Sequence, residues 1–248
     1  MNTDLILTKA QRLIQMHKAG LLGGEVMPED ANPRLAPASA ENHLYFTLPM
    51  ALNYQRSSYA LWQSALQTYE DPETRFLFSP NRCLEHSFAE TQQAITKYKL
   101  ALQKQKQTEV WIRLCETFAA SFDGDVRKLF EQNGNDIARI KRFVQVEHKK
   151  AFPYLSGTKI CNYWLYVMYQ YTDRPFVRLE ELTVAPDTHV CKASLQLGLI
   201  TEEEFASSAV QAIVSDKWQQ VFAQTPCNPI DIHTPLWLWS RQGFPEIR

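Results

Sequence analysis

No run of apolar residues in this sequence is long enough to span a bilayer, so a membrane helix is not expected to organise the chain. Met1 to Gly24 is amphipathic and charged, unlike a signal peptide, and the expected location is the cytoplasm. Cysteine is scattered: Cys83, Cys115, Cys161, Cys191 and Cys227 form no CxxC pair, and no histidine stands at metal-ligand spacing. That pattern argues against zinc and against a disulfide framework. Cys161 and Cys191 fall on apolar helix faces and are expected in the core. Positive charge is not in excess either, since 26 Lys and Arg stand against 27 Asp and Glu, for a net charge of −1. The chain as a whole therefore does not advertise a polyanionic partner. Internal repeats and low-complexity tracts are also missing.

What is present is helical spacing nearly throughout, which predicts an all-α fold. Leu5, Ile6, Ala10, Leu13, Ile14 and Met16 make the stripe of a first helix ended by Gly20. Gly23 to Ser39, with Pro28, Pro33 and Pro37, reads as an ordered loop. Helix is expected from Ala40 to Leu52, kinked or started afresh at Pro49, and a second helix through Leu61, Ala65 and Tyr69. Arg75 to Phe78 is the one place where a short extended piece is expected. Further helices are predicted from Ser87 to about Lys104, Gln107 to Phe122, Asp125 to Gln132 and Asn135 to His148, with Asp123-Gly124-Asp125 as a stop and cap. Thr201 with Glu204 forms a capping box for a long helix through Phe222, and a last apolar helix begins around Asp231 to Trp239.

The stretch from Phe152 to Val190 has a character of its own. A short polar turn at Gly157 precedes Cys161, Trp164, Leu165 and Met168 at i, i+3, i+4 and i+7, so a buried helix begins near Thr158 and Lys159 sits in its first turn. The positive end of the helix dipole disfavours a cation there, and a neutral amine is a nucleophile. Pro186-Asp187-Thr188 then heads another apolar helix, where Asp187 can serve as N-cap. Each half also has a plainer reading, a solvated lysine after a loop and an ordinary cap.

Taken together and in this order, Ser156-Gly157-Thr158-Lys159 and Val184-Ala185-Pro186-Asp187-Thr188-His189-Val190 resemble the hairpin and acidic segment of the helix-hairpin-helix DNA glycosylase superfamily. The lysine resembles that of its 8-oxoguanine DNA glycosylase/AP lyase branch, archaeal-like members included. Where that family has Leu-Pro-Gly-Val-Gly, this chain has Pro153-Tyr154-Leu155-Ser156-Gly157, one glycine fewer. The resemblance covers the second half of the chain well and the first half loosely. It implies two helical lobes, about 1–50 with 190–248 and about 51–189, with a cleft holding Lys159 and Asp187. Lys159 would attack the sugar and Asp187 would assist, without a metal, a cofactor or an iron–sulfur centre.

By the same resemblance Ser156, Gly157 and Thr158 would hold a phosphate. Asn53, Gln55 and Arg56 would meet the opposite strand, although Ser57 or Ser58 as a plain helix cap explains that turn equally well. Lys149 and Lys150 extend a locally basic run before the hairpin. Tyr163, Trp164, His233 and Trp237 are the candidate walls of a base pocket. The implied partner is damaged double-stranded DNA, bound by a monomer. Two alternatives stay open: an N-glycosidase for a modified nucleoside or nucleotide, and a DNA-binding protein of this fold without catalysis.

Overall fold

In the computed structural model, which describes residues 3–23 and 27–247, the chain is all helical. Its helices are α1 (Thr3–Lys18), α2 (Ala40–Thr47), α3 (Ser58–Glu70), α4 (Pro80–Cys83), α5 (Phe88–Lys97), α6 (Lys104–Phe122), α7 (Val126–Gln132), α8 (Ile137–Arg142), α9 (Thr158–Tyr171), α10 (Thr188–Gln196), α11 (Glu202–Phe205), α12 (Val210–Phe222) and α13 (His233–Arg241). Among the described residues no strand forms, and the only extended pairing is a single bridge between Asp136 and Val177. Gly24, Glu25 and Val26, in the loop expected from Gly23 to Ser39, lie outside the described residues, as do Met1, Asn2 and Arg248.

Side-chain caps set most helix starts. Ser39, Ser57, Ser87, Asp125, Asp136, Asp187 and Thr201 each accept a backbone N–H from the first turn that follows, satisfying donors that have no partner inside the helix. Ser57 as cap of α3 is thus the plain reading of that turn. Asp123 and Gly124 both take left-handed backbone (φ 52° and 77°) and stop α6, as the Asp-Gly-Asp triplet predicts.

Elsewhere the boundaries differ from expectation. Arg75–Phe78 is a 3-10 turn, not an extended piece, because Phe76, Leu77 and Phe78 are all buried and a turn packs three consecutive apolar residues where a strand would alternate them. At Pro49 the chain starts afresh, one of the two expectations there, as a 3-10 turn, Pro49–Leu52. α5 ends at Lys97 because Lys99 turns left-handed (φ 59°). α8 runs on as a π-helical segment, Phe143–Glu147. The predicted long helix after Thr201 is broken into α11 and α12 around Ser207 to Ala209, although the Thr201–Glu204 capping box itself forms.

The chain divides into two compact units. One comprises Val26–Val177 and holds α2 to α9. Its core is aromatic: Tyr45 stacks on Phe78 at 5.5 Å, and Trp62, Trp111, Phe118, Phe130 and Trp164 are fully buried. Buried indoles need acceptors. Here Trp62 donates to Glu29, Trp111 to the Leu77 carbonyl and Trp164 to the Thr47 hydroxyl. The other unit comprises Met1–Glu25 with Arg178–Arg248. In it α10 packs against α13 and α12, and α1 covers α12 and α13. Leu13, Val190, Ile232, Leu236 and Trp218 form its interior, with the Trp218 indole donating to the Ser194 hydroxyl at 3.0 Å.

Candidate active site

The turn before α9 is anchored from below by Phe152 and Leu155, both buried, with Phe152 lying edge-on to Phe118 and Phe143. The Ser156 amide donates to the Phe152 carbonyl at 2.9 Å and the Gly157 amide to the Tyr154 carbonyl at 2.9 Å, closing two tight loops in succession. The left-handed residue of this turn is Tyr154, with φ 60°, and not Gly157. Gly157 is the extended N-cap of α9 (φ −64°, ψ 137°), and the space beside it is tight. A Cβ there would stand 3.1 Å from the Tyr154 carbonyl oxygen.

Because Gly157 has no side chain, no cap occupies the first-turn amides of α9, and such amides attract anions. Gly157, Thr158 and Lys159 are exposed, whereas Ser156 is buried. The Lys159 amine is thus presented to solvent one residue into the helix.

Asp187 belongs to the other unit. Its Oδ1 accepts the Val190 amide at 2.9 Å, and the half-buried carboxylate is held at the head of α10 by that bond. α10 lies along α13, and His189 joins the two: its Nδ1 is 3.3 Å from the Ser240 hydroxyl, and its ring meets Trp237 edge-on at 5.9 Å. Trp237 is half-buried under the Arg241 guanidinium, 4.8 Å from its centre, while His233 is buried at the start of α13.

The remaining expected site residues are distributed unevenly. Trp164 is fully buried, with Phe130 at 5.4 Å, and presents no face to a ligand; it is a core residue of its unit. Tyr163 is half-buried and donates its hydroxyl to Glu29 at 3.0 Å. Arg56 is committed internally, Nη1 donating to the Leu100 carbonyl at 2.7 Å and Nη2 to that of Lys99 at 3.3 Å, and burial lowers its pKa. It fastens one loop to another. Gln55 is exposed in left-handed backbone (φ 51°). Lys149 and Lys150 are exposed on a 3-10 turn, while two other cations of the basic run, Arg139 and Arg142, face Asp136 at 3.7 Å and Glu147 at 2.8 Å.

Two features were not legible in the sequence. Glu29 is buried in a nest where both Trp62 Nε1 and the Tyr163 hydroxyl donate to its Oε1, and burial pushes its pKa up to about 7. Nothing marks it in Pro28-Glu29-Asp30 beyond a proline that starts a turn. The second is a stacked pair, Tyr54 on Tyr154, with ring centres 4.3 Å apart and planes within 8°. Their residue numbers are a hundred apart, and only the fold brings the two loop tips together.

Among the described residues no cluster of side chains is suited to a metal ion, and no helix is long and apolar enough to cross a membrane. No family model matches the chain, and no curated protein shows significant similarity to it.

Proposed function

We propose that the protein is a DNA glycosylase with AP-lyase activity that excises an oxidised purine such as 8-oxoguanine. The observation that carries this reading is the exposed Lys159 amine in the first turn of α9, directly after a tight turn whose N-cap is a glycine. Uncapped first-turn amides suit a DNA phosphate, and an adjacent amine is then positioned for the sugar that the phosphate carries.

In the reaction the Lys159 amine attacks C1′ as the bond to the base nitrogen breaks, and the proton that the amine gives up passes by way of Asp187 to the departing base. Opening of the sugar ring gives an imine, from which β-elimination expels the 3′ phosphate. The Asp187 carboxylate, fixed by the Val190 amide, would stabilise the positive sugar and take the proton released by the amine. In this reading the target nucleotide is extruded from the duplex. Extrusion itself costs a few kcal/mol, which contacts to the flipped base must offset.

Borohydride trapping tests this directly. A covalent adduct is expected between the wild-type protein and a duplex whose damaged base is still attached, and none with Lys159→Gln. An adduct at the wild-type rate in that variant removes Lys159 from the role of nucleophile. A second reading, an N-glycosidase for a modified nucleoside or nucleotide, is favoured by the net charge of −1 and by the internal commitment of Arg56. Release of the base from a free nucleoside, with no salt-dependent affinity for duplex DNA, would select it.

A further inference from the structure

The Tyr54–Tyr154 stack has no part in the chemistry above, yet it is costly to build. Tyr154 occupies left-handed backbone, a strained conformation for a bulky side chain that glycine would adopt without penalty. Such conformations cluster at functional sites, where the surrounding structure holds them in place. On the facing loop Gln55, next to Tyr54, is left-handed as well. Both rings are half-exposed, so the stack is not core packing. The Tyr54 hydroxyl donates to Gln103 Oε1 at 3.1 Å, which fixes its ring. Exposed Lys106 brings its ammonium 5.1 Å from the Tyr154 ring centre and 6.0 Å from that of Tyr54. Lys106 has the largest influence on Tyr154, favouring its phenolate and lowering its pKa.

A flat, half-exposed aromatic surface with a cation at its margin has the chemistry of a nucleobase-stacking platform, the cation serving the adjoining phosphate. We propose that Tyr54 and Tyr154, with Lys106, form a platform on which an unpaired base of a DNA strand stacks, so that the protein prefers DNA containing an unpaired base to a fully paired duplex. This rests on the reading of DNA as the partner. It goes further in naming the form of DNA and residues that the glycosylase reading does not use. Stacking supplies affinity without a large positive field, in keeping with a net charge of −1.

The test uses the full-length protein and an oligonucleotide carrying 2-aminopurine, either unpaired in a single strand or paired in a duplex. Wild type is expected to quench the unpaired probe and to bind it more tightly than the paired one. Tyr154→Phe should behave as wild type, because the ring is kept. Tyr154→Gly should lose about tenfold or more in affinity for the single strand. Glycine relieves the left-handed backbone but removes the stack on Tyr54, so a cooperative melt measured alongside separates a loss of binding from misfolding. Lys106→Gln should weaken binding and flatten its salt dependence.

Equal binding and quenching by wild type and Tyr154→Gly would overturn the proposal, as would equal affinity of wild type for paired and unpaired probes. Adduct formation through Lys159, measured alongside, separates the two ideas. Trapping without a platform effect refutes the platform alone, whereas no binding to either form of DNA refutes both.

Discussion

At the scale of the residue, Glu29 makes stability depend on pH in a defined direction. Burial raises its folded-state pKa to about 7, well above the ordinary carboxylate range. The folded protein therefore binds this proton more tightly than the unfolded chain does. Its contribution is fully present below the unfolded value and is lost as pH rises through about 7. A shift of this size corresponds to about 3 kcal/mol. Denaturant midpoints measured from pH 4.5 to 8 should fall with pH in the wild type, and Glu29→Gln should flatten that fall, since its amide oxygen can still accept from Trp62 and Tyr163. An unchanged slope in the variant would mean that Glu29 does not titrate as its burial implies. Asp187 offers a second residue-scale prediction. Asn keeps a capping oxygen for Val190 but removes the charge, so Asp187→Asn should fold and bind DNA normally while losing base release. Undiminished turnover would assign Asp187 to capping alone.

At the scale of the element, loops are held by side chains that local sequence does not pair. Arg56 leaves the turn before α3 and donates to the carbonyls of Lys99 and Leu100, just after α5. Removing it strands acceptors in a partly buried place. Arg56→Ala is expected to lower stability by about 1–3 kcal/mol in thermal or urea unfolding, with little change in DNA affinity. A large loss of affinity at unchanged stability would return Arg56 to the DNA interface. The interruption between α11 and α12 teaches a similar lesson. Thr201 and Glu204 announce a helix correctly, but periodicity through Val210, Val214 and Trp218 cannot reveal that the chain leaves the helix and restarts between them.

At the scale of the whole molecule, positive charge is not in excess, with 26 Lys and Arg against 27 Asp and Glu. Arg56, Arg139 and Arg142 have partners within the chain, whereas Lys106, Lys149, Lys150 and Lys159, near the turns described above, are exposed. If these alone meet phosphates, the logarithm of the binding constant should fall with the logarithm of salt at a slope no steeper than about −4. Anisotropy titrations over a salt series measure it. A markedly steeper slope would mean that further basic residues reorganise on binding.

The sequence by itself determined the helical class, because the 3.6-residue spacing of apolar side chains is a local property that burial then exploits. It also determined the caps at Ser57, Asp125, Asp187 and Thr201 and the stop at Asp123-Gly124, which depend on residues within a single turn. The place of Lys159 in the first turn of its helix was legible for the same reason. Only tertiary structure decided that Trp164 is core and not a pocket wall, since an apolar face has the same spacing whether it meets Phe130 or a ligand. It decided that the left-handed residue of the turn is Tyr154 and not Gly157, because the ring is held by Tyr54 from a loop a hundred positions away. It also decided the burial of Glu29, whose partners Trp62 and Tyr163 are distant in sequence. Distant contacts such as these leave no periodic trace in the chain that makes them.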